Sequence, residues 1–150
     1  MKPCPWPVSQ LLPHGPALTL LDEALAYDDD GAEVAVTIRS DHPFAEPEGV
    51  PAHVGIELMA QACGVHAGCH AVASGGKVRL GYLLGTRRYL ATEDWFRPGE
   101  RLVVTVRRVA DFGEMATYDC RIVVDGILRA EAQLNLYQPD PHQPNEEPHG

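Results

Sequence analysis

Three side chains in one short stretch are spaced for proton chemistry. In "PAHVGIELMAQACGVHAGCHAVA", residues 51 to 73, His53, Glu57 and Gln61 recur at i, i+4 and i+8. That spacing stacks them along one stripe of a helix. The stretch is otherwise apolar on nearly every side. A carboxylic acid in an apolar groove keeps its proton to higher pH, because burial disfavours the anion. Such a group can deliver a proton to a departing oxygen, with a histidine in reach as the complementary base. Free N–H groups at the helix start, beside His53, add a means of polarising a carbonyl. The competing reading makes Glu57 a structural acid, bonded to buried backbone or to an arginine across a subunit interface.

A second polar stripe lies on the opposite side of the same helix, where His66 and His70 are again one turn apart with Cys63 and Cys69 close by. Taken as ligands, Cys63-x-x-His66, Cys69 and His70 would come from a single helix with no second cluster to complete the set. They read as core or interface filling, and no metal is expected. His14, in "LLPHGPALTLLDEAL", reads as a turn or capping residue. His42, in "SDHPFAEPEG", stands on the loop just ahead of the helix and can fold back toward a groove. His142 and His149 belong to the tail. The chain has no G-x-S-x-G elbow, no P-loop and no G-x-G-x-x-G, and "GYLLGTRRYL" reads as a strand with two glycines and an arginine pair.

The elements that must position these residues follow from pattern. Residues 1 to 16 are proline-rich, with a helical turn at Ser9 to Leu12. Residues 17 to 40 hold two strand-like runs around Asp28-Asp29-Asp30-Gly31, the second alternating through Val34, Val36 and Ile38. Pro51 suits the first turn of the helix, and Ser74-Gly75-Gly76 stops it. Four strands follow, "VRLGYLLGTRRYL", "RLVVTVRRVADF", "ATYDCRIVV" and "ILRAEAQLNLYQ", the last two joined by the hairpin signal Asp125-Gly126. A single helix apolar all round must be covered on most of its surface. About six antiparallel strands curled around one long central helix do this, in an α+β arrangement called a hotdog fold. Residues 1–139 form that single domain, and the acidic, proline-rich residues 140–150 read as a disordered tail. One sheet layer cannot cover every face of the helix, so a homodimer or a heterodimer with a similar chain is expected.

Bulk properties narrow the functional classes. The 150 residues carry a net charge of −9, which argues against nucleic acid as partner. Residues 77 to 101 are locally +3 against −12 for the rest, a basic patch suited to an acidic partner or an ordinary solvated strand face. No run of eighteen apolar residues occurs, so no membrane span is expected. The start, Met1-Lys2-Pro3-Cys4-Pro5, lacks the apolar core of a signal peptide, and the protein is expected in the cytoplasm. The four cysteines have no framework spacing and suit a reduced state.

"LLPHGPALTLLDEAL", followed by "VPAHVGIELMAQACG", resembles the 3-hydroxyacyl-(acyl carrier protein) dehydratases of the FabA/FabZ group, which pair a Leu-Pro-His turn with a proline-started helix bearing an acid ahead of Met/Leu-Ala-Gln. "PAHVGIELMAQACGVHAG", "GYLLGTRRYL" and the closing "LNLYQP" are similar to the ApeP-like, aryl-polyene-associated branch of that group. The resemblance spans roughly residues 8 to 139. It implies a hotdog fold and elimination of water from a 3-hydroxyacyl thioester on acyl carrier protein to give the trans-2-enoyl product, with no cofactor. It implies Glu57 as the catalytic acid. Gln61, Pro51, Ala52, Gly85 and His14 would contact substrate, and Arg87 and Arg88 would dock the carrier protein. The family's catalytic histidine sits in a Gly-His-Phe-Pro-Gly loop about fourteen residues before the acid. This chain has no such loop. His42, fifteen residues before Glu57 in Asp-His-Pro-Phe, is the first candidate base and His53 the second. The alternatives are a non-catalytic hotdog subunit that partners an active dehydratase, and an acyl thioesterase.

Overall fold

The computed structural model describes residues 1–13, 15, 17–79 and 81–139. A two-residue strand β1 (Lys2–Pro3) and a single helical turn α1 (Val8–Leu11) open the chain. Strands β2 (Glu23–Tyr27) and β3 (Gly31–Thr37) form a hairpin, and the short β4 (Val50–Pro51) precedes the long helix α2 (Gly55–Ala73). Then come β5 (Tyr82–Ala91), β6 (Trp95–Phe96), β7 (Arg101–Asp111), β8 (Met115–Val124) and β9 (Ile127–Tyr137). Seven strands make one sheet in the order β1-β2-β3-β7-β8-β9-β5, every pair antiparallel, while β4 and β6 form a separate ribbon. This is the expected architecture, with one helix held in the curl of an antiparallel sheet. The 140–150 tail lies outside the described residues.

The alternation read from the sequence is what builds the core. Val34 and Val36 of β3, Leu102, Val104 and Val106 of β7, and Tyr118, Cys120 and Ile122 of β8 all turn inward and are buried. They meet Leu58, Met59, Ala62, Val65 and Cys69 of α2. Each fully buried Leu or Met here is worth about 1.5–3 kcal/mol. Asp125 and Gly126 both have positive φ (50° and 77°), as a two-residue type I′ hairpin requires. Gly75, at φ 75°, ends α2 after its C-cap Ser74.

One expectation needs correction. Pro51 does not occupy the first helical turn. It is extended (φ −56°, ψ 141°) and pairs with Trp95, and the helix begins through a 3-10 turn over Ala52–Val54. Proline suits that short ribbon because it has no N–H to donate. As a single sheet layer implies, α2 is not covered all round by its own chain. Glu57 is exposed and Ala60, Gly64, Ala67 and Ala71 are only partly buried, so one flank stays open.

The second polar stripe proves to be structural. His66 Nε2 donates to the Asp29 carbonyl at 3.0 Å, so its Nδ1 accepts from the Tyr118 hydroxyl at 2.7 Å. His70 Nε2 lies 3.2 Å from the Asp28 carbonyl, and the two imidazoles meet edge to face. The carbonyls of the β2–β3 turn thus bind the far half of α2, and Cys63 and Cys69 rest against Cys120 and Cys4 with sulfurs 3.9 Å apart.

Burial lowers His66 to about 4, against 6.5 for the free side chain. The unfolded chain therefore binds more protons than the native one between pH 6.5 and 4, and stability must fall as pH drops through that window. The contribution at stake is up to about 3 kcal/mol. Urea unfolding of the wild type and of His66→Gln across pH 7 to 4 is expected to show a stability gap that depends on pH within that window. A gap independent of pH would refute the assignment.

Candidate active site

Alongside the open flank of α2 runs a groove of about 1480 Å³. It is lined by Glu57, Ala60, Gln61, Gly64 and Ala67 of the helix, by Leu12, Leu18 and Leu20, and by Tyr118, Leu136 and Tyr137 of the sheet. Pro43 and Phe44 reach it from the loop before the helix. The groove is mostly apolar; Glu57 is the carboxylate that α2 contributes to it, while Asp111 and Glu114 line it from the β7–β8 end. Such a channel is suited to an aliphatic or polyene chain whose reacting carbons sit by the helix acid.

Glu57 faces this groove with no hydrogen bond or ion pair among the described residues. Its side chain is exposed in the single chain. The burial expected from the apolar helix is therefore not supplied by this protomer, because the sheet wraps only the other side of α2.

Gln61 lines the groove and also braces its wall. Its Oε1 accepts from Leu20 N–H and its Nε2 donates to the Leu18 carbonyl, both at 2.8 Å. This two-point clamp binds the segment ahead of β2 to the helix one turn beyond Glu57, and so fixes the Leu18–Leu20 wall.

Among the described residues neither candidate histidine bonds Glu57, and neither lines the groove. His42 belongs to a turn closed by His42 N–H to the Arg39 carbonyl and Ala45 N–H to the His42 carbonyl. Its ring does not line the groove, although Pro43 and Phe44 do. Nδ1 accepts from Phe44 N–H at 3.2 Å, which leaves the proton of the neutral ring on Nε2, and that atom is buried without a partner. Burial lowers its proton affinity, opposed by nearby Asp22. In this tautomer His42 is a donor. His53, one turn before Glu57, is exposed and its imidazole has no hydrogen bond among the described residues. His14 lies outside the described residues.

Pro51, Ala52 and Gly85 do not line the groove of the protomer. Pro51 and Ala52 instead anchor the helix start. Val50 and Pro51 pair with Phe96 and Trp95, and Ala52 N–H donates to the Asp94 carbonyl at 2.8 Å. Tyr89, a residue not singled out from sequence, donates its hydroxyl to the Ala52 carbonyl. The segment behind this anchor is held by Arg129, 6% exposed. Arg129 lies 2.6 Å from Glu100 and 3.1 Å from Glu93, donates to the Trp95 carbonyl and stacks over Phe96. Burial alone would raise Glu100, but the hydrogen bond from Arg129 holds it below the usual range. Arg87 and Arg88 are exposed on the edge strand β5 without an acidic partner among the described residues. No cluster of His, Cys, Asp and Glu able to hold a metal occurs among the described residues, and none of their helices is long and apolar enough to cross a membrane.

The family model for ApeP-like proteins, described as ApeP dehydratase, matches residues 6–147. The chain belongs to the ApeP-like dehydratase family. It is thus a hydro-lyase with a hotdog fold. A chain of the dehydratase heterocomplex ApeI:P from Xenorhabdus doucetiae is 28% identical and superimposes with a TM-score of 0.86 over 91% of this chain and 93% of that one. The 3-hydroxyacyl-[acyl-carrier-protein] dehydratase FabZ of Agrobacterium fabrum (strain C58 / ATCC 33970) is 28% identical over 139 residues, 85% of this chain and 84% of its own length. A hypothetical thioesterase from Streptococcus pneumoniae TIGR4, solved with coenzyme A, shares the fold at 13% identity, with a TM-score of 0.60 over 78% of this chain and 84% of that one.

Replacing Gln61 with Leu strands the Leu20 N–H and the Leu18 carbonyl, and is expected to cost about 1–3 kcal/mol in urea unfolding. A loss below about 0.5 kcal/mol, the range of an ordinary surface change, would show that the clamp does not hold the groove wall.

Proposed function

We propose that this dehydratase acts on a 3-hydroxyacyl thioester carried by acyl carrier protein and forms the trans-2-enoyl thioester, in fatty acid or aryl polyene biosynthesis. The observation that carries this is Glu57, the one carboxylate that α2 sets on a mostly apolar groove, in a chain of the ApeP-like dehydratase family. In the proposed step a base removes a proton from C2 and Glu57 protonates the C3 hydroxyl as it leaves as water. N–H groups at the helix start stabilise the charge that builds on the thioester oxygen. The acyl chain would lie along the open flank of α2 and the carrier protein against Arg87 and Arg88, cations with no acidic partner among the described residues.

A second hotdog chain completes the site in this reading. The unpaired edge of β5, the open flank of α2 and the exposed Glu57 all lie on uncovered surface. The 28% identical chain of known structure belongs to a dehydratase heterocomplex. The base is then either His53 or His42 of a chain like this one, or a histidine of a different hotdog partner. The tautomer of His42, which places its proton on Nε2, favours His53 over His42 within this chain and supports the partner as a second source.

Incubation with a 3-hydroxyacyl carrier protein, with enoyl formation followed by mass, tests the reading. Glu57→Gln is expected to lose about 10²–10⁴ in rate. Turnover that survives this change would refute Glu57 as the acid. Loss of activity in His42→Ala/His53→Ala places the base in this chain, and retention in a mixture with a hotdog partner places it in the other. Free thiol without enoyl product would indicate a thioesterase instead.

A further inference from the structure

The stretch "GYLLGTRRYL" holds a strained backbone that the dehydration chemistry has not yet used. Arg88 has φ 54°, a left-handed conformation that a residue with a Cβ rarely adopts. Here the β5–β9 register slips. Arg87 faces Gln133 and Leu90 faces Glu131, so three steps on β5 match two on β9. In a regular strand Tyr89 would share the outer face with Arg87. The extra residue of the bulge turns it inward, against the core.

The inward tyrosine meets the start of α2. Its hydroxyl donates to the Ala52 carbonyl, and Gly55 makes the room, since a methyl at 55 would collide with that hydroxyl and crowd Ile122 Cδ1. Burial raises the phenol to about 12, so the donor keeps its proton across the neutral range. Ala52 is gripped from its other side by the Asp94 carbonyl, which accepts its N–H. The peptide groups held in this way lead into the turn that carries His53 and, in the first turn of α2, Glu57.

We infer that Tyr89 is a positioning residue, which through the Ala52 carbonyl sets how the turn bearing His53 and Glu57 faces the groove, and that the bulge at Arg88 serves to turn it inward. Its effect on turnover rests on the dehydratase reading above. Its hold on the helix start does not. The edge strand β5 and the acid-bearing helix are thereby linked by one hydroxyl.

Tyr89→Phe removes only that hydroxyl, and Ile122→Val loosens the same slot while keeping it. Both are compared with wild type in the full chain, in the assembled dehydratase. Tyr89→Phe is expected to speed amide exchange at residues 53–58 and to lower kcat about tenfold with KM within about twofold. Ile122→Val is expected to lower the melting temperature without either effect. Unchanged exchange in Tyr89→Phe, or a kcat and KM response matching that of Ile122→Val, would overturn the inference. A wild type that releases no water overturns the dehydratase reading instead, and the exchange comparison then upholds or overturns the hold on the helix start by itself.

Discussion

Helix α2 must be kept from water, and the rest of the chain is arranged around that requirement. Ten of its nineteen residues are buried, among them Leu58, Met59, Ala62 and Val65, so the helix has no solvated face broad enough to lie on a surface. Strands β3, β7 and β8 curl over it, α1 closes against Gly68, and the β2–β3 turn is fastened to its far half through His66 and His70. A sheet that curls around one side of a cylinder leaves the other side open. The open flank is where Glu57 stands and where the groove runs. The constraint that builds the core therefore also creates the site.

The start of α2 is fixed by a different set of contacts. Pairing of β4 with β6, the two bonds to Ala52, and the Arg129 cluster that braces residues 93–100 all converge on the few residues ahead of Glu57. A proton donor must be held to within fractions of an ångström of its working position. Rigid strands and buried charge pairs supply this better than a loop does. Gln61 extends the same logic one turn further by fixing the Leu18–Leu20 wall.

The parts legible in the sequence were those set by local periodicity. The alternation of Val34, Val36 and Ile38, the unbroken apolar helix, and Asp125-Gly126 each specify an element whatever surrounds it, and Glu57 stood out because a carboxylate is costly in such a helix. What depended on three-dimensional neighbours was not legible. Helical spacing grouped Gln61 with Glu57, but only the fold shows its amide spent on Leu18 and Leu20. The exposure of Glu57 followed from where the sheet stops. The proton position on His42 hangs on one backbone N–H two residues away, and the inward turn of Tyr89 on a bulge that no propensity marks. Arg129 was not singled out, because its burial needs Glu93 and Glu100 brought up from another part of the chain.

If α2 carries the acid for water elimination at C2–C3, the reverse reaction must return water across the same bond. Incubating the trans-2-enoyl carrier thioester with the assembled protein in heavy-oxygen water and in deuterium oxide reads this directly. The expected product is a 3-hydroxyacyl thioester, still bound to its carrier, with the oxygen label at C3 and deuterium at C2. Label in a released carboxylate, or none in any product, would contradict it.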